Sequence, residues 1–244
     1  MRRHRVRIDG LVAGERQLVG PAAHHLARVL RARPGAPIAA FDGAGSEAFG
    51  TVVAVDADGV RVELEAPRSA ATEADRAVTL APALLKGDKL ADVVRMATEL
   101  GVVAVRPVRT KRCDVAELAP SRLVRWRRVA EEAARQSGRA RGPVVAEAVR
   151  LEDLTWTGAL LVADPFAEAT LADAVADLDG ASPAAGAVPT EVTVVTGPEG
   201  GLTPEEVAAL VARGARAVAL GRRVLRAETA PVAVAAALLT WDGT

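Results

Sequence analysis

A chain of 244 residues, half of them hydrophobic, is long enough to bury a sizeable core in one large domain or two ordinary ones, and its 31 basic and 31 acidic side chains balance. No apolar run reaches the roughly 18 residues of a membrane span, and Met1 to Asp9 is too polar for a signal peptide, so a soluble, cytoplasmic protein is expected. The single cysteine, Cys113, excludes an internal disulfide framework and a thiolate zinc cluster, and His4, His24 and His25 lack partners at ligand spacing, so no metal is expected.

The first 67 residues read as short strands with turn punctuation: "RHRVRID", "APIAAFDG", "EAFGTVVAVDADG" and "VRVELEAP", broken at Asp42 and Gly43 and again at Asp58 and Gly59. Only Pro21 to Arg31 is helical in pattern, with His25, Leu26, Val29 and Leu30 on one face. A small β-barrel carrying one basic helix is expected over residues 1–68. Pro67 to Ala77 is polar and linker-like. Residues 77–244 then alternate strands with helices. "AVTLAPALL" and "GVVAVRPV" read as strands around a helix from Asp88 to Leu100, whose Leu90, Val93, Val94, Ala97 and Leu100 share a face. A long arginine-rich helix follows from about Ser121 to Gln136. "ALLVAD", "EVTVVT" and "ARAVAL" are further strands, with helices at Thr203 to Arg213 and Glu228 to Thr240, and Asp179 to Pro189 is a flexible surface loop. Such alternation predicts an α/β domain with a mainly parallel sheet covered by helices.

Charge is segregated along the chain. Met1 to Gly35 holds eight arginines against Asp9 and Glu15, Lys86 to Arg141 holds 14 basic residues against 7 acidic, and Pro143 to Leu210 holds 1 against 12. Basic surfaces aimed at a polyanion, here nucleic acid, explain the clustering; codon bias towards arginine explains the count but not its placement.

Three glycine-rich stretches compete for a ligand. "GAGSEA", Gly43 to Ala48, fits a dinucleotide fingerprint but leads into a strand rather than a helix, so it reads as a hairpin turn and an oxidoreductase reading loses its support. "TGPEGGLTPEE", Thr196 to Glu206, lies between a strand and a helix start, where Thr203 and Glu206 form a capping box with Pro204 at the first helical position. "LGRRVLRAETA", Leu220 to Ala230, has the same strand-to-helix placement. If their strands are neighbours, the two loops lie side by side. They then offer free backbone groups, an apolar lining from Leu202, Leu220, Val224 and Leu225, and the charges of Glu199, Arg226 and Glu228, a setting that suits a planar uncharged ring such as adenine. The plainer alternatives are a tight turn for the first loop and, for Arg226, a salt bridge tying a helix start to the sheet.

"GPEGGLTPEE" paired with "LGRRVLRAETA" resembles the signature of the RsmE family of 16S ribosomal RNA methyltransferases, in the SPOUT superfamily. "HHLARVLRARPG", "FDG", "LLKGDKLADVVRMATELGV" and "RWRRVAEEAARQSGR" extend the resemblance over nearly the whole chain. It implies a PUA-like barrel followed by a trefoil-knotted SPOUT domain, a homodimer, S-adenosyl-L-methionine as methyl donor, and N3 of uridine-1498 in 16S ribosomal RNA of the small ribosomal subunit as acceptor. The implied cofactor residues are Thr196, Gly197, Pro198, Glu199, Gly200, Gly201, Leu220, Gly221, Leu225 and Arg226, with "LLVADP" as a third loop. Glu199 has three open destinations: the cofactor, a partner subunit or its own turn.

Uracil N3 is a poor nucleophile while protonated, so the reaction needs a proton acceptor or stabilisation of the anion left on the carbonyl oxygens. Glu228 is the candidate base and Arg226 the candidate for stabilising the anion or orienting Glu228. RNA phosphates are assigned to His25, Arg28, Arg31, Lys86, Lys89, Arg139 and Arg141, with the target base extruded into the pocket. The competing reading is a non-catalytic RNA-binding or ribosome-assembly factor, which would be expected to lose Gly197, Gly200 or Gly221.

Overall fold

The computed structural model describes residues 3–69, 76–115, 118–180 and 190–239. Most of the expected linker from Pro67 to Ala77, nearly all of the expected loop from Asp179 to Pro189, and Thr240 lie outside the described residues. The chain divides into two compact units, Met1–Glu73 with Ala134–Gly142, and Ala74–Ala133 with Pro143–Thr244.

The first unit is built on a six-stranded sheet of β1 (His4–Arg7), β2 (Gly14–Leu18), β3 (Pro37–Phe41), β4 (Ser46–Asp56), β5 (Gly59–Leu64) and β6 (Arg68–Ser69). Its order is β1-β3-β4-β5-β2, with β6 paired to β4. Only β1 and β3 run parallel; the other pairs are antiparallel. The sequence alternation explains β5, where Val60, Val62 and Leu64 face inwards between exposed polar residues. The pattern of β2 is silent because it ends the sheet and buries only Leu18. Between β3 and β4, Gly43 and Gly45 take φ of 80° and 109°, and the Asp42 carboxylate accepts the Ala44 and Ser46 amides at 2.7 and 3.0 Å. "GAGSEA" is thus a hairpin turn, as its sequence context predicts.

The expected helix from Pro21 to Arg31 is shorter than its periodicity. Helix α1 (Gly20–His24) widens into a π-type turn over His25–Val29, where the Leu30 amide reaches His25 O at 2.9 Å. The wider turn seats Leu26, fully buried, and Arg31 then leaves it with φ of 51°, a conformation uncommon outside glycine.

The second unit carries a parallel sheet of β7 (Arg76–Pro82), β8 (Ala104–Val105), β10 (Val144–Val145), β12 (Ala159–Ala163), β13 (Thr190–Thr196) and β14 (Arg216–Val218), in the order β10-β8-β7-β13-β12-β14. The remaining strands, β9 (Val108–Arg109) and β11 (Val149–Arg150), pair separately. The run "GVVAVRPV" therefore supplies two strands rather than one, because Pro107 between them has no amide to donate to a ladder. The helices are α2 (Lys89–Leu100), α3 (Pro120–Ser137), α4 (Leu171–Gly180), α5 (Pro204–Ala212) and α6 (Thr229–Leu239). Helix α4 has no counterpart in the expected elements; α2, α3, α5 and α6 match theirs closely.

Both faces of this sheet are buried, which accounts for its continuous β-branched runs. Val192, Val194 and Leu161 pack with Leu90, Val93, Val94 and Trp126 and with Val234 and Leu238 of α6. Their sequence neighbours Val195, Leu160 and Val162 point the other way, against Leu210, Leu151 and Leu154. The expected fold class, a mainly parallel α/β domain behind a small N-terminal β domain, is borne out. No helix among the described residues is long and apolar enough to cross a membrane.

Candidate active site

The two glycine loops do not follow neighbouring strands. Strand β12 lies between β13 and β14, so the expectation that the loops sit directly side by side is corrected: a third strand end separates them. That end is Ala163 to Phe166, part of the "LLVADP" stretch, and the three loops together line one cavity of 880 Å³. Its size lies within the range of small-molecule sites, and its position is the carboxyl edge of a parallel sheet, where such sites form.

All ten residues assigned to a cofactor line this cavity, from Thr196 to Gly201 on one side and Leu220, Gly221, Leu225 and Arg226 on the other. The first loop is held from within. The Gly201 amide bonds Pro198 O at 2.8 Å with Gly201 at φ of 70°, and Thr203 and Glu206 make the expected reciprocal capping box. The second loop ends on Arg226, whose carbonyl accepts the Thr229 and Ala230 amides at 2.9 and 3.0 Å and so starts α6.

Among the described residues, Thr196 Oγ1 and Glu228 Oε2 are buried at the cavity without a hydrogen-bond partner. Buried polar atoms are rarely left alone, so their presence in a cavity fits a ligand rich in polar groups. The nearest cation to Glu228 Oε2 is Lys89 Nζ at 3.6 Å, and Lys89 also donates to Glu199 Oε1 at 2.7 Å. Glu199 thus reaches back to the start of α2 while still lining the cavity. Burial works against the Glu199 carboxylate, yet the hydrogen bond from Lys89 and the surrounding backbone amides outweigh it and hold the group below the usual carboxylate range. Arg226 is 85% exposed, with Nη1 3.8 Å from Glu228 Oε1, so it forms a loose ion pair and leaves its guanidinium facing outwards.

The seven residues assigned to RNA divide between the two units. Arg28 and Arg31 are exposed and His25 is half-buried on the π-type turn of the first unit. Arg141 donates to Ala44 O at 3.1 Å within that unit. Arg139 is only 3% exposed, which corrects its assignment: a buried guanidinium presents nothing to an external phosphate. In the second unit Lys86 pairs with Asp114 at 2.8 Å, and Lys89 lines the cavity with its side chain 37% exposed.

Sequence reasoning missed Arg112. Its Nη1 donates to Gly200 O at 2.9 Å, and a β-carbon on Gly200 would stand 3.3 Å from Arg112 Cβ. The next residue back, Lys111, gives its amide to Glu206 Oε1 at 2.7 Å. This segment buttresses the loop behind β13 across 88 residues of sequence, and nothing local in "RTKRC" announces it. In Arg112→Ala the Gly201 amide is expected to exchange its hydrogen about tenfold faster, the low end of a hydrogen bond from a charged group at ~1.5 kcal/mol, with the melting temperature nearly unchanged. Hydrogen exchange read by mass spectrometry checks this.

Residues 72–239 match the family model of an RNA methyltransferase domain, and residues 19–65 that of an RNA methyltransferase PUA domain. The chain is 35% identical over 222 residues to the ribosomal RNA small subunit methyltransferase E of Synechocystis sp., a match covering 85% of this chain and 67% of that one. It is 34% identical over 240 residues to the protein of the same name from Mycobacterium bovis, covering 91% and 87%. The crystal structure of a ribosomal RNA small subunit methyltransferase E from Neisseria gonorrhoeae bound to S-adenosyl methionine superposes with a TM-score of 0.82 at 29% identity, over 100% of both chains.

Proposed function

This chain belongs to the ribosomal RNA small subunit methyltransferase E family, and on that premise we propose that it methylates N3 of a uridine in 16S ribosomal RNA, with Glu228 taking up the N3 proton. The cofactor is S-adenosyl-L-methionine, which supplies an electrophilic methyl group on its sulfonium when bound. The observation that carries the reading is the convergence of three strand-end loops on one cavity that contains a carboxylate oxygen with no hydrogen-bond partner among the described residues, Glu228 Oε2. The intact glycines of both loops speak against a degenerate, non-catalytic assembly factor.

The cavity residues divide the work. Backbone groups of Thr196 to Gly201 and of Leu220 to Leu225 would hold the cofactor, with Thr196 Oγ1 free to make a further polar contact. Positioning is most of what an in-line methyl transfer requires of a protein. Glu228 would accept the N3 proton while N3 bonds to the methyl carbon and that carbon's bond to the donor sulfur breaks, its electron pair staying on sulfur as the thioether leaves. The exposed guanidinium of Arg226 stabilises the negative charge on the flanking uracil carbonyls and keeps Glu228 oriented. The domain boundaries proposed are residues 1–68 for an RNA-binding barrel and 77–244 for the methyltransferase domain, acting in the cytoplasm as a homodimer. Arg28 and Arg31, with His25, are the proposed phosphate contacts of the first unit, and Lys86 that of the second.

The direct test is restoration of N3-methyluridine to hypomethylated small subunits, read by mass spectrometry of the RNA fragment. Glu228→Gln is expected to slow single-turnover methylation about 10²- to 10⁴-fold, the range of a general base, and Arg226→Ala to slow it by a smaller factor. Glu228→Gln should bind S-adenosylmethionine normally by calorimetry. Near wild-type turnover in both variants would remove these assignments.

A further inference from the structure

Lys89 opens α2, and a lysine at the start of a basic segment invites a place on the RNA-facing surface. Its side chain is instead committed inside the second unit. The Nζ lies 2.7 Å from Glu199 Oε1, on the loop after β13, and 3.6 Å from Glu228 Oε2, at the end of the loop after β14. The sheet itself does not bring those two loops together, because β12 stands between their strands. One ammonium therefore spans a gap that the strand order opens. Glu199 is doubly engaged, since the Lys86 amide approaches the same Oε1 at 3.4 Å. Without Lys89, Glu228 would keep only the loose pair with Arg226, at 3.8 Å from its Oε1, among the ion pairs of the described residues.

We propose that Lys89 is a positioning residue for methyl transfer: it straps the two glycine loops together through Glu199 and aims Glu228 Oε2 into the cavity. The proposal rests on the reading of Glu228 as proton acceptor. The chemistry of an ammonium suits the task, because it is a compact charge on a flexible stem that can serve two carboxylates at once. The half-exposed site makes each contact individually modest, so the effect lies in geometry rather than in stability. The hydrogen bond to Glu199, set against a smaller cost from burial, also holds the Lys89 ammonium above its ordinary range, which keeps it charged at neutral pH.

The test compares Lys89→Met and Lys89→Arg in the full chain. Lys89→Met is expected to lower the single-turnover rate at saturating cofactor and RNA by roughly 10- to 100-fold, the scale of a misplaced reacting group. RNA affinity and its salt dependence should stay at wild-type values, and Lys89→Arg should recover most of the rate. In a double-mutant cycle the losses from Lys89→Met and Glu228→Gln should combine less than multiplicatively, as they must if one residue acts through the other. A wild-type rate in Lys89→Met, with weaker RNA binding and a salt slope smaller by about 1, would mark Lys89 as a phosphate contact and overturn the proposal. Fully multiplicative losses would overturn it as well. The two readings fail separately: Glu228→Gln at wild-type rate removes the base, whereas a slow Glu228→Gln beside a fast Lys89→Met removes only the strap.

Discussion

Replacing Gly197 by alanine is expected to weaken S-adenosylmethionine binding about 100-fold, the upper end of the ~1–3 kcal/mol that an added methyl costs in a packed place. A β-carbon at Gly197 would stand 2.8 Å from Leu202 N, 3.0 Å from Gly201 C and 3.2 Å from Gly201 Cα. All three atoms are backbone, so no side-chain rotation relieves the clash and the turn itself has to open. The ends of the loop resist that opening, because Thr196 is buried at the end of β13 and Thr203 is fixed in its capping box. The strain therefore falls on the segment that lines the cavity. Gly201 offers an internal contrast: its β-carbon would meet nothing within 4 Å, and only its φ of 70° opposes substitution. Gly201→Ala should cost about 1–2 kcal/mol, so a titration of both variants is expected to rank Gly197→Ala well below Gly201→Ala. Equal affinities would show that the loop does not close on the cofactor.

This contrast marks what could and could not be read along the chain. The capping box of Thr203 and Glu206 was legible because all of its partners lie within four residues, and Pro204 and the preceding β-branched run point the same way. The loop of Leu220 to Ala230 was legible for the same local reason. What the sequence does not carry is adjacency. That β12 separates β13 from β14, and thereby brings the Asp164 to Phe166 turn into the cavity wall, is a property of strand order, to which local periodicity is blind.

The partners of the assigned cations are hidden by the same blindness. Arg28 and Arg31 stand exposed as their pattern predicts, but Arg139 is buried in the first unit and Lys89 is spent on two carboxylates more than a hundred positions away. Charge clustering counts arginines and lysines without knowing which have found partners in the fold. Pro107 shows the converse case, in which a local signal was present but outvoted: its missing amide divides an apolar run whose composition alone reads as one strand.

Glu206 joins what is legible to what is not, and its removal is the second large effect expected. The carboxylate is 8% exposed and uses both oxygens on backbone amides: Oε2 on Thr203 at 2.8 Å, as the capping box predicts, and Oε1 on Lys111 at 2.7 Å, which no motif predicts. Truncation in Glu206→Ala strands a buried donor at Thr203 and a part-buried one at Lys111, at about 1–3 kcal/mol each. At roughly 2–4 °C per kcal/mol for a chain of this size, the melting temperature should fall by ~10 °C. Thr203→Ala removes one acceptor at the same helix start and should cost only about 1 kcal/mol. Glu206→Gln keeps one carbonyl oxygen and should fall between them. Because the Lys111 amide is released together with its neighbour Arg112, which grips Gly200 O, Glu206→Ala should also weaken cofactor binding more than its distance from the cavity suggests. Thermal unfolding and calorimetric titration of the three variants separate the two roles: if Glu206 only caps its helix, Glu206→Ala and Thr203→Ala will match in both measurements, and if it also anchors the Lys111 segment, Glu206→Ala will be the worse in each.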